Sequence, residues 1–140
     1  MVDPEHEIVQ EWIEHIPEPD RLFMRVHVKS LTERQLHPGI FRERQGAMSV
    51  DWERYSSAED TRGRALSPDE NGVIALVTGD VRRIEGLSVE HEPLRSNRAH
   101  SGIHGLTLPG SLPAEESKTK RRALLLGLVD GWQIDPFEAA

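Results

Sequence analysis

The sequence predicts a single α+β domain: a small, mostly antiparallel sheet of four to six strands, with an amphipathic helix at the N-terminus and another at the C-terminus. Three observations carry this. Apolar and polar residues alternate over residues 21–29 and again over 87–92, the period of a half-buried strand. Apolar residues recur at helical spacing over residues 8–16, and leucines cluster near 124–128. The chain has 140 residues, 36% hydrophobic and 29% charged, which is enough for one core and well short of a disordered composition.

The elements follow in order. Asp3 before Pro4 is a helix-start signal, because the carboxylate can accept orphan backbone N–H bonds and proline fits the first helical position. Ile8, Val9, Trp12, Ile13 and Ile16 then form one stripe, with Glu5, Glu7, Glu11 and Glu14 around it, so residues 1–17 read as an acidic amphipathic helix ending by Pro17. Residues 20–108 hold the sheet. In RLFMRVHVK, Leu22, Met24, Val26 and Val28 face one way and Phe23, Arg25, His27 and Lys29 the other. Residues 30–46 show no period and contain a Pro-Gly turn, which makes a long loop. AMSVDW reads as a short strand, and Ser56 with Glu59 as a capping box starting a short helix over residues 57–64. VIALV suits a central strand covered on both faces, and residues 79–86 hold one helical turn. LSVEHE places His91 on the side of Leu87 and Val89, toward the core. HSGIHGLTL is the last strand, its glycines implying a bulge or a close approach of another group. Residues 113–130 form the C-terminal helix, stopped at Gly131.

Charge and composition exclude several function classes. With no cysteine there is no disulfide framework, thiolate metal site or cysteine nucleophile. The acidic start MVDPEHE lacks the pattern of a signal peptide, and no apolar run is long enough for a membrane span, so a soluble, cytoplasmic protein without a membrane partner is expected. The net charge of −7 resides entirely in residues 1–20, which hold seven acidic residues and no Lys or Arg, while residues 21–140 balance at seventeen each. Generic nucleic-acid binding is disfavoured, since it rests on a net excess of cations.

The densest chemistry lies between His91 and His104, where fourteen positions hold three histidines, two arginines and an asparagine. A shared metal is not expected. On a strand, His100 and His104 lie about 13 Å apart, too far for two imidazoles that each need about 2 Å to an ion. No phosphate loop or dinucleotide fingerprint is present, and no serine sits in a G-x-S-x-G elbow. Nothing in the residues implies a cofactor. The residue types best fit an anion pocket, with Arg25, Arg42, Arg44, Arg95, Asn97 and Arg98 as phosphate-binding groups and His27 and His100 as acid–base catalysts. Against it stands the ordinary case of arginines paired with surface carboxylates and an asparagine shaping a turn.

MSVDWERYSSAEDTR together with VTGDVRRIEGLSVEHEPLRSNRAHSGIHG resembles a group of small uncharacterised bacterial proteins. Its plan is an "LSVD" strand, a "PEET"-like helix start and a "V-x-HDPL…N-x-AHA-x-I-x-G" segment. His91, Pro93, Leu94, Asn97, Ala99 and His100 match, whereas Glu92 replaces an aspartate and Arg98 stands where proline is usual. The resemblance covers residues 20–108 and implies kinship without a transferable activity. A more distant likeness is to small ADP-ribosyl-transfer folds that bind NAD. It would place Arg25 and Ser49 at functional positions, but assigns no catalytic glutamate.

Two functions of different class follow. The first is a non-enzymatic binding, interaction or accessory module that docks a protein partner or a second copy of itself. The second is a small His/Arg-dependent enzyme acting on a phosphorylated or nucleotide, NAD-like substrate.

Overall fold

A computed structural model describes residues 6–138. Six strands form one sheet: β1 (Arg21–His27), β2 (Ala47–Trp52), β3 (Asn71–Val77), β4 (Ser88–His91), β5 (His100–His104) and β6 (Trp132–Ile134). Their order is β4-β5-β2-β1-β3-β6, with every neighbouring pair antiparallel. Among the described residues three α-helices, α1 (Ala58–Gly63), α2 (Thr78–Arg82) and α3 (Ala114–Leu128), complete an α+β fold. No helix among the described residues is long and apolar enough to cross a membrane.

Strand alternation sorts the two faces of the sheet. Leu22, Met24 and Val26 of β1, Met48, Val50 and Trp52 of β2, and Val89 and Ile103 point to one side and are buried. They pack with Ile16, Phe41, Val81, Ile84, Leu106 and Leu125 into one core. Phe41 is a fully buried anchor inside the long loop, and Arg122 Nε donates to its carbonyl at 2.8 Å. β1 stops at His27, and Val28 opens a 3₁₀ turn instead of extending the strand. β3 is buried on both faces except near its end, as a central strand should be.

Three expectations are corrected. Among the described residues, 6–16 are not an α-helix: they run as irregular chain with a 3₁₀ turn at Gln10–Trp12, and the Asp3–Pro4 start lies outside the described residues. The stripe is divided, with Val9 and Ile16 buried but Ile8 and Ile13 38% and 46% exposed. Tertiary partners take the backbone donors that a helix would use: Val9 N–H donates to Pro93 O at 2.8 Å and Glu14 N–H to His91 Nδ1 at 3.0 Å. A helix this short gains too little from its own bonds to resist that competition. The capping box shifts by one residue, to Ser57 and Asp60, because Ser56 turns inward to Thr61 Oγ1 at 2.9 Å. The Ser57 backbone and hydroxyl hold the Asp60 carboxyl below its usual range. Finally, α3 ends at Leu128 with Val129 extended, and Gly131 (φ +94°) turns the chain into β6, which the sequence reading missed.

α3 is locked down by a buried cation. Arg121 is 3% exposed, and its Nε donates to Glu85 O at 2.7 Å while Nη1 donates to Gly105 O at 2.7 Å, to Leu106 O at 3.2 Å and to Leu108 O. Those carbonyls replace water around the guanidinium and tie the chain after β5 to the helix.

Candidate functional site

The second face of the sheet is divided. α1 packs over β1, β3 and β6, burying Phe23 and Val73. On the β2–β5–β4 half, Ser49 and Glu90 remain exposed and His100 and His104 half-buried. Register sets this half out as a grid: Ala47 lies opposite His104 and Ser88, Ser49 opposite Gly102 and Glu90, and Asp51 opposite His100.

Gly102 makes the middle of the grid available. A Cβ there would collide with Glu92 Oε1 and lie 2.9 Å from His104 Nε2, so the glycine supplies the close approach expected of this strand. The registers on both sides of β5 run without a bulge. Glu92 Oε2 meets His104 Nε2 at 3.0 Å across that space. The Glu92 backbone carbonyl accepts from His100 Nδ1 at 2.9 Å, while His100 Nε2 faces Ser49 Oγ at 3.4 Å. A carbonyl oxygen can only accept, so Nδ1 carries a ring proton and Nε2 is the nitrogen turned to the serine.

Beside this pair lies a buried carboxylate. Asp51 is 4% exposed; its Oδ2 accepts from Thr61 Oγ1 at 2.8 Å and Arg64 Nη1 at 2.7 Å, and its Oδ1 from Asn97 Nδ2 at 2.8 Å. Arg64 also donates to Ser56 Oγ at 2.9 Å, and Arg25 Nη1 donates to Thr61 O at 3.0 Å. Three donors on a charged acceptor offset its desolvation and pin α1 and the 93–98 turn to β2.

His91, on the opposite face, is core as expected. Its ring is 3% exposed, edge-on to Trp52 at 4.9 Å and stacked on Tyr55 at 6.0 Å. Nδ1 accepts from Glu14 N–H, and Nε2 donates to Arg98 O at 2.7 Å. Burial pushes its pKa below the usual histidine value.

The anticipated pocket residues are thus distributed. Asn97 bonds to Asp51 directly, Arg25 to the carbonyl of Thr61, whose hydroxyl holds Asp51, and His100 is the register partner of Asp51 with its ring on Glu92 and Ser49. His27 is engaged elsewhere, with Nε2 on Glu70 at 2.9 Å and Nδ1 accepting from Lys29 N–H. Arg42 Nε donates to Gly39 O at 3.0 Å, and the Arg44 backbone closes a turn with Ala47. Arg95 is exposed at the tip of the Leu94–Asn97 turn, and Arg98 lies over the rings of Trp12 and Tyr55 at 5.0 and 4.8 Å. Sequence reading did not assign Asp51, Glu92 or His104 to the site, nor pair Ser49 with His100. The alternation of AMSVDW does set Ala47, Ser49 and Asp51 on one face, so part of the signal was present.

Among the described residues, no group of three or more His, Asp or Glu is placed to hold a metal ion. A cavity of about 20 Å³ lies against Arg121, between Ile84, Leu112 and Leu124, with room for one water. Comparisons with protein-family models, curated proteins and solved structures found no match.

Proposed function

We propose that the protein is a binding or accessory module that docks a basic, amphipathic segment of a protein partner on its N-terminal strap, residues 6–16. One observation carries this reading. The strap is pinned to the domain at Val9, Glu14 and Ile16, yet leaves Ile8 and Ile13 exposed beside exposed Glu7 and Glu11. All of the chain's net negative charge belongs to residues 1–20. Exposed apolar side chains next to exposed carboxylates in the chain complement a cationic amphipathic partner in both area and charge.

The anion-binding enzyme reading draws on Arg25, Asn97 and His100. Of these, Asn97 Nδ2 is already bonded to Asp51 Oδ1 and His100 Nδ1 to the Glu92 carbonyl, so neither donor is turned to a phosphate.

An NMR titration with a basic amphipathic peptide tests the docking. Amide shifts should concentrate at residues 7–13, weaken with salt, and disappear with Ile8→Ser/Ile13→Ser while surviving His100→Ala. Shifts confined to β2 and β5 would sink the idea.

A further inference from the structure

The grid face carries chemistry that docking on the strap does not use. We infer that Ser49 is a nucleophile activated by His100, and that the face accepts a short acyl group from an activated carboxylic ester. This goes beyond the module reading and does not depend on it, because Ser49 and the strap contacts to His91 lie on opposite faces of the sheet.

Serine is a weak nucleophile until a base takes its proton, and the base must be neutral, oriented and in the right tautomer. Orientation and tautomer are both set at His100. Its Nδ1–H is held by the Glu92 carbonyl at 2.9 Å, and Nε2 lies 3.4 Å from Ser49 Oγ, a separation of the kind that tightens when substrate binds. The backbone carbonyl plays the orienting part that a carboxylate plays in a triad. Glu92 is itself fixed: its side chain bridges to His104 and its backbone N–H donates to His100 O at 3.0 Å. The base therefore rests on the β4–β5 ladder and not on a loose loop.

The acylation step balances as follows. Ser49 Oγ attacks the ester carbonyl, its proton passes to His100 Nε2, and the C–O bond to the leaving group breaks as that proton is delivered to the departing oxygen. Water then attacks the acyl-serine, giving a proton to Nε2, and the acid is released as Ser49 recovers its hydrogen. The residue on the other side of Ser49 points to the substrate class. Phe23 is the partner of Asp51 across β1 and β2, so Arg25 and Ser49, each two residues further in the same direction, share a face on neighbouring strands. Arg25 is exposed and held at Nη1 by Thr61 O, which suits an acyl group bearing a second carboxylate.

The test uses the full chain with p-nitrophenyl acetate, following p-nitrophenolate release together with intact mass and peptide mapping. The expected result is one acetyl group on Ser49, absent in Ser49→Ala and formed about 100-fold more slowly in His100→Gln. Both variants should keep the thermal unfolding profile of the parent. The p-nitrophenyl ester of succinic acid, which carries a free carboxylate, should acylate faster than the acetate, and Arg25→Gln should remove that preference. Acetylation confined to lysines or other histidines, or undiminished in His100→Gln, would overturn the nucleophile assignment. Equal rates for the two esters would overturn the choice of an acidic acyl group. Ile8→Ser/Ile13→Ser should leave Ser49 acylation unchanged, so failure of docking and failure of this chemistry are told apart.

Discussion

His91 and His100 stand at adjoining corners of one hairpin, His91 paired with Ser101 and His100 next to it, yet they face opposite sides of the sheet. Both rings are anchored to backbone. The difference is how many nitrogens the anchoring consumes. His91 uses both, one for the Glu14 N–H and one for the Arg98 carbonyl, and its ring fills core space between Trp52 and Tyr55. His100 uses one, on the Glu92 carbonyl, and turns the other to a serine on an open face. A histidine's role is thus set less by its neighbours in sequence than by which ring nitrogen the backbone leaves available.

Removing each ring should separate the two roles. His91→Ala leaves an unfilled space and two orphaned backbone groups, and should destabilise by about 3 kcal/mol in a denaturant titration. A loss no larger than that of His100→Ala would undo the contrast. Asp51→Asn tests whether the open face also carries structure. The neutral amide keeps the shape but weakens the bonds from Arg64 and Asn97, and a cost of about 2 kcal/mol is expected.

The pH dependence of stability follows from His91. Its folded pKa lies below the unfolded value of 6.5, so between the two the unfolded chain binds more protons. The stabilisation from the neutral ring is fully present above pH 6.5 and is lost as pH falls through the folded value. Melting temperature should decline with acidification in that window, and the decline attributable to this ring should vanish in His91→Phe. An unchanged slope would show that other groups govern it. His100→Ala should have the smallest effect, about 0.5 kcal/mol or less on stability, since its ring is half-exposed. A larger loss, measured by the same titration, would make His100 a structural residue after all.

Much of the contrast was legible in the chain. LSVEHE places His91 with Leu87 and Val89 by period alone, and the strand at AMSVDW matches residue for residue. His27 illustrates the limit: alternation set it on the face of Arg25, and only the position of Glu70, in the 3₁₀ turn before β3, decided where its ring went. The N-terminal stripe shows the same limit in energetic form. Its helical spacing is real, but Pro93 and His91 offered its backbone better partners than a marginal helix could. Ser49 and His100 are 51 positions apart, and no local pattern joins them.

What the sequence determined by itself is what short-range sterics and hydrophobic period can encode: an α+β domain, the inward faces of the strands at 21–27 and 88–91, the C-terminal helix, and the concentration of negative charge in the first twenty residues. Tertiary structure alone decided strand order, the shift of the helix cap from Ser56 to Ser57, and the docking of the strap as irregular chain with one 3₁₀ turn. Among the described residues it also left half of one sheet face without a helix over it. Those outcomes depend on which distant groups compete for the same backbone donors and the same buried area, and that competition exists only once the strands have met.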